Sequence, residues 1–132
     1  MRFDVIFIVV AVLCLLIGEG FGFWMSSNEQ LFVFAPVHAH LNLAGWVTLS
    51  IYGLAHRAYP VLASAKLAPF QAGLAILGAL VMPYGIWVVL HGGGEGIVIP
   101  GALMVALGTL LFAIMFVGKV ALAKASMAAA SA

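Results

Sequence analysis

The stretch Ala35-Pro36-Val37-His38-Ala39-His40-Leu41-Asn42-Leu43-Ala44-Gly45-Trp46, continuing through Tyr52-Gly53-Leu54-Ala55-His56-Arg57-Ala58-Tyr59-Pro60, decides the fold. Proline lacks an N–H and has a fixed φ, so Pro36 suits the first turn of a helix and Pro60 a place just past its end. Residues 35–56 contain no Asp, Glu, Lys or Arg. At 1.5 Å of rise per residue they reach roughly 33 Å, enough to cross the hydrocarbon of a bilayer. A helix turns about 100° per residue, which puts His38, Asn42, Gly45, Leu49, Tyr52 and His56 on one stripe and His40 on another face. A stripe with a histidine at each end, and Asn and Gly between, reads as a lined surface rather than a lipid-facing one. Gly45 and Gly53 would admit something flat or bulky to the backbone.

The rest of the chain has the same character. It has 132 residues, of which 66% are hydrophobic and 7% charged, with a mean hydropathy of +1.26. A soluble domain of this length has too little interior to hide so much apolar surface, so the sequence predicts an all-α integral membrane protein. The expected partner is the lipid bilayer; a net charge of +1 gives no ground for a nucleic-acid partner. Cys14 is the single cysteine and cannot close a disulfide within the chain; it reads as a small core or lipid-facing residue.

Four spans are expected, at about 3–25, 34–56, 67–90 and 97–118, forming a single domain over residues 1–132, a four-helix bundle. The first span follows Arg2 but lacks an A-x-A-like cleavage site, so it reads as a membrane helix rather than a signal peptide. The run Gly18-Glu19-Gly20-Phe21-Gly22 is expected to break it near its far end, and the Gly18/Gly22 pair suits close helix packing. Pro83 is expected to kink the third span and free a carbonyl near Ala79. The Ala-rich tail from Lys119 favours helix. With four spans, Arg2, Arg57, Lys66, Lys119 and Lys124, all the Lys and Arg of the chain, fall on one side. That side, with both termini, is then cytoplasmic, as in a multi-pass protein of a bacterial-type inner membrane. Gly18, Gly22, Gly73, Gly78, Gly101 and Gly108 offer close-contact surfaces, so a homo-oligomer is expected.

This topology gathers His38, His40, His91, Glu19 and Glu95 at the outer face. A carboxylate inside the membrane costs roughly 3 kcal/mol, so Glu19 is expected to turn into the bundle. His56 beside Arg57 reads as interfacial, Trp24 and Trp87 as belt residues, and Trp46 as packing against a helix or cofactor. Neutral imidazoles on membrane helices ligate a haem iron, one or two at a time. They also ligate copper or zinc, which take three or four donors. For such a metal the candidate set is His38, His40, His91 and Glu19, with Glu95 in reserve. The i, i+2 spacing of His38 and His40 opposes a shared metal on a regular helix, whereas haem needs one histidine per helix. The sequence has no C-x-x-C-H for covalent haem attachment.

Pro36-Val37-His38-Ala39-His40-Leu41-Asn42-Leu43-Ala44-Gly45-Trp46, with Tyr52-Gly53-Leu54-Ala55-His56-Arg57-Ala58-Tyr59-Pro60 after it, resembles the second transmembrane helix of the catalytic subunit of haem-copper oxidases and nitric-oxide reductases. It is similar, more closely, to small four-helix proteins described as oxidase-subunit-I-like. The resemblance covers the first two segments. It implies a b-type haem ligated by His38, with His40 as the rival, and a pocket that includes Asn42, Gly45 and Trp46. His91 is then the expected second ligand within the chain, unless a neighbouring subunit supplies it. No counterpart is seen of the distant helix that carries the family's second low-spin ligand, of its copper histidines or of its cross-linked tyrosine. Oxygen or nitric-oxide reduction by this chain alone is therefore not implied. The resemblance implies haem binding for electron transfer, gas sensing or haem handling, with a possible redox partner; the alternatives are a copper- or zinc-binding membrane protein and a cofactor-free structural or assembly subunit with interfacial histidines.

Overall fold

The computed structural model describes residues 2–121, and Lys124 and the end of the Ala-rich tail lie outside the described residues. Among the described residues there is helix and turn but no strand. Three helices are long and apolar enough to cross a bilayer: Phe3–Ser26, Ala68–Leu90 and Val98–Ala121. We name them α1, α3 and α4. Between α1 and α3 runs α2, residues 35–58, a helical stretch that changes winding twice. It is α-helical over Ala35–His40, π-helical over Leu41–Val47 and α-helical again over Thr48–Ala58.

The sequence explains these boundaries. Pro36 lies in the first turn of α2, and Tyr59 leaves helical geometry at φ −127°, ψ 78°, as the residue before a proline must. The π segment wastes hydrogen-bonding geometry, since its turns are too wide for i→i−4 bonds. Thr48 compensates locally, because its backbone N–H and its hydroxyl both donate to the Leu43 carbonyl, the hydroxyl at 2.7 Å. Two expectations fail here. α1 runs unbroken through Gly18-Glu19-Gly20-Phe21-Gly22, because its i→i−4 ladder needs only backbone groups and lipid offers no water to compete for them. The other is the set of contacts expected between copies at the small residues, described below; Pro83, expected to kink the third span, lies buried inside α3, which continues to Leu90.

Packing is organised by small residues. α1 buries a narrow stripe of Phe3, Phe7, Ala11, Cys14 and Gly18 against α2. A Cβ on Gly45 would lie 2.6 Å from Cys14 Cβ, and one on Gly53 would lie 2.9 Å from Ile8 Cγ1. What approaches those glycines is thus α1. The α3/α4 hairpin uses the same device. A Cβ on Gly78 would lie 2.6 Å from the Val105 nitrogen, and one on Gly101 would lie 2.5 Å from that of Met82. Gly18, Gly78, Gly101 and Gly108, expected to form contacts between copies, serve packing within the chain; Gly73 meets nothing.

A main core of Phe3, Phe7, Leu49, Tyr52, Leu62, Met115 and the alanine stripe of α3 fills the end of the bundle that carries Arg2 and Arg57, here the arginine end. Tyr52 donates a 2.9 Å hydrogen bond to Thr109 Oγ1, tying α2 to α4. A second core of Met25, Phe34, Val37 and Leu41 fills the opposite end, where His38 and His91 lie.

Gly101→Ala and Gly73→Ala are the same chemical change with opposite expected outcomes. The first places a methyl on the Met82 backbone and lowers stability by about 1–3 kcal/mol. The second enters open space and raises it by up to about 1 kcal/mol, through helix propensity. Thermal unfolding in detergent reads both; equal shifts of one sign would contradict this packing.

Candidate functional site

The α2 stripe faces α1 along its length, from the histidine end to the arginine end. His38 is half-buried against the glycines of α1. A Cβ on Gly22 would sit 3.3 Å from His38 Cε1, and one on Gly18 would sit 2.7 Å from Asn42 Nδ2. Only glycine at both places lets an imidazole and an amide lie on the α1 backbone. His38 Nδ1 is 2.8 Å from the Gly18 carbonyl oxygen. A carbonyl only accepts, so Nδ1 carries the proton and the neutral ring keeps its lone pair on Nε2.

Asn42 is fixed by the same logic. Its Nδ2 donates to the His38 carbonyl at 2.9 Å, which sets the amide's orientation, and lies 3.4 Å from His38 Nε2. That second contact is long for a hydrogen bond. The Nε2 lone pair is approached by a donor without being fully engaged.

His40 and His91 repeat the arrangement separately. His40 Nδ1 donates to the Pro36 carbonyl at 2.7 Å, within its own helix. His91, just past the end of α3, donates from Nδ1 to the Trp87 carbonyl at 2.8 Å. The His91 ring stacks on Phe34 at 4.9 Å and lies tilted against Trp87 at 4.1 Å. Each of the three rings is held at Nδ1 by a backbone carbonyl, which leaves the lone pair on Nε2.

Other expected residues lie elsewhere. Glu19 is exposed on the outside of α1, which corrects the expectation that it faces the bundle. Gly18 occupies the buried position beside it, and only a residue without a side chain fits there. Gly45 is closed by Cys14, and Trp46 packs against the main core. Among the described residues no group of three or more His, Cys, Asp or Glu side chains is placed to hold a metal ion. His38, His40, His91 and Glu19 are therefore not brought together as a copper or zinc set.

Sequence reasoning missed the arginine end. His56, read as interfacial, is buried at 3% exposure against Phe3 and Phe7. Gln71 of α3 is fully buried beside it. The signal lay in the stripe itself, since His56 is on the same face as Leu49 and Tyr52. At the surface Asp4 pairs with Arg2 at 3.3 Å and Arg57 at 3.7 Å. Exposed pairs of this kind contribute at most about 1 kcal/mol.

The tautomers are directly checkable. In ¹⁵N spectra of histidine-labelled protein near neutral pH, His38 is expected as the Nδ1–H form, and Gly18→Val, which displaces Asn42, is expected to perturb it. An Nε2–H tautomer at His38 would refute the hydrogen bond to Gly18.

Comparison of the chain with protein-family models, with curated proteins and with solved structures finds no match to any of them.

Proposed function

We propose that this chain is a four-span, multi-pass protein of a bacterial-type inner membrane that binds a b-type haem at the end of the bundle carrying His38, with both termini on the cytoplasmic side. The observation that carries the reading is the treatment of the histidines. His38, His40 and His91 are each locked separately by an Nδ1–H bond to a backbone carbonyl, and among the described residues no three donors cluster. Haem iron takes one or two axial imidazoles and draws its remaining ligands from the porphyrin. Zinc and copper need three or four protein donors at one point. The arrangement suits the first and not the second. The resemblance of the Pro36–Pro60 stretch to the haem-ligating helix of the oxidase and reductase family supports the same reading.

The residues divide the work. His38 supplies the ligating Nε2, and its bond to Gly18 holds the ring in one orientation and raises its basicity as a ligand. Asn42, 3.4 Å from that nitrogen, would leave the lone pair free for a metal, being anchored by its bond to the His38 carbonyl. His91, fixed between Phe34 and Trp87, is the second ligand within the chain; in a homo-oligomer another copy's imidazole takes that role. Bound haem supplies a one-electron centre, and electron exchange with a redox partner is the function such ligation serves best. On this reading α2 is the fourth span beside the three helices long and apolar enough to cross a bilayer, and the basic residues then lie on one side of the membrane.

An absorption spectrum of detergent-purified protein, oxidised and dithionite-reduced, tests this. A Soret band is expected, and His38→Ala is expected to remove most of it while His40→Ala leaves it. Colourless protein from haem-replete cells, or a band indifferent to His38, would overturn the assignment.

A further inference from the structure

We propose that His56 and Gln71 form a proton-binding site loaded from the arginine end of the bundle, independent of any cofactor. Both side chains are more than nine-tenths buried, at 3% and 0% exposure. Neither ring nitrogen of His56 and neither amide atom of Gln71 has a hydrogen-bond partner. Gln71 faces the imidazole, yet no bond of acceptable geometry joins them. Leaving such groups unpaired in an apolar interior forfeits their hydration with nothing in return. An all-apolar pair would fit a membrane bundle better unless the polar atoms are used.

A cavity of about 190 Å³ opens at the arginine end and touches His56, together with Arg2, Asp4 and Arg57, while the His56 ring nitrogens and the Gln71 amide stay buried behind the cavity wall. A water occupies about 30 Å³ of liquid, so several fit. On the far side the path is shut by rings: Phe7 lies 5.8 Å from Tyr52, and Tyr52 lies 4.4 Å from Phe112. Tyr52 already gives its proton to Thr109 and does not compete for the imidazole. Access is from one end.

The surroundings accommodate the added charge. Among the described residues, the titratable and charged groups around His56 are Asp4 and Arg2 from the start of α1, and Tyr52 and Arg57 from its own helix; α3 offers the neutral Gln71. Asp4 is the carboxylate among them, with its side chain 19% exposed. The rings of Phe3 and Phe7 lie 5.7 and 5.6 Å from the imidazole, within range for a cation over an aromatic face. In the loading step a hydronium ion in the cavity gives its proton to a ring nitrogen and becomes water. The ring becomes imidazolium, and Gln71 Oε1 accepts one of its two N–H groups.

Imidazole C2-proton exchange, read by mass spectrometry on the full chain in nanodiscs across pH 5 to 9, tests the site, because exchange tracks both protonation and water access. His56 is expected to exchange with a sigmoidal pH profile. Asp4→Asn removes the compensating charge and is expected to lower the midpoint by about half a unit or more. Gln71→Leu is expected to lower it as well, with the His40 profile unchanged in both variants. A flat, negligible exchange at His56 in the wild-type chain overturns the proposal without any variant having to fold. So does a midpoint that neither substitution moves.

Discussion

Close backbone contact between α1 and α2 is the constraint on which the rest of the molecule depends. Lipid tails are as apolar as leucine, so burying apolar surface gives helices no reason to associate in a bilayer; dispersion contact and hydrogen bonds must do so. Dispersion falls off steeply with separation. Helices that rely on it need small residues where they cross, and this chain provides them. Gly45 admits Cys14 and Gly53 admits Ile8. Because the backbones lie that near, an imidazole on α2 reaches a main-chain carbonyl on α1. The bond from His38 to Gly18 follows from the packing, and any ligand chemistry at His38 inherits its orientation from that bond.

Much of this was legible in the residues. Apolar length placed α1, α3 and α4, and Pro36 and Pro60 bracketed α2 to within two residues. The stripe from His38 to His56 followed from helical spacing, and it does share one face. The π winding of Leu41–Val47 did not follow, because nothing in that run distinguishes a wide turn from a regular one; what stabilises it is Thr48, seen only once its hydroxyl is found on Leu43. The glycines were legible as contact residues but their partners were not, since a small residue suits a neighbouring helix or a second copy equally. His56 was misplaced for a related reason. Its neighbour Arg57 marks the membrane boundary, but adjacent residues on a helix face about 100° apart, so one can reach water while the other is buried. Glu19 failed by the same geometry in the other direction, because the buried place beside it belongs to Gly18.

The two ends of the bundle are chemically unlike, though both are built on the α1–α2 contact. At the histidine end every ring nitrogen engaged by protein meets a backbone carbonyl or an amide, and the carboxylate expected there, Glu19, lies on the outer surface. At the arginine end the buried imidazole has no backbone partner, and a carboxylate with two guanidiniums stands at the mouth of its cavity.

On the readings proposed above, this difference suits two histidines of one stripe to opposite tasks. An iron ligand must be neutral, with its proton held on the far nitrogen, and an Nδ1–H bonded to a carbonyl enforces that state. A group that takes up protons must have no such fixed donor, a counter-charge nearby and water within reach. His38 meets the first description and fails the second, since its Nδ1 is committed to Gly18. His56 meets the second and fails the first, since nothing sets its tautomer and the rings of Phe3 and Phe7 crowd the space a porphyrin would need. One helix face thus carries the same side chain in two surroundings, and α1 supplies the difference: a glycine carbonyl opposite one, and phenyl rings with an aspartate opposite the other.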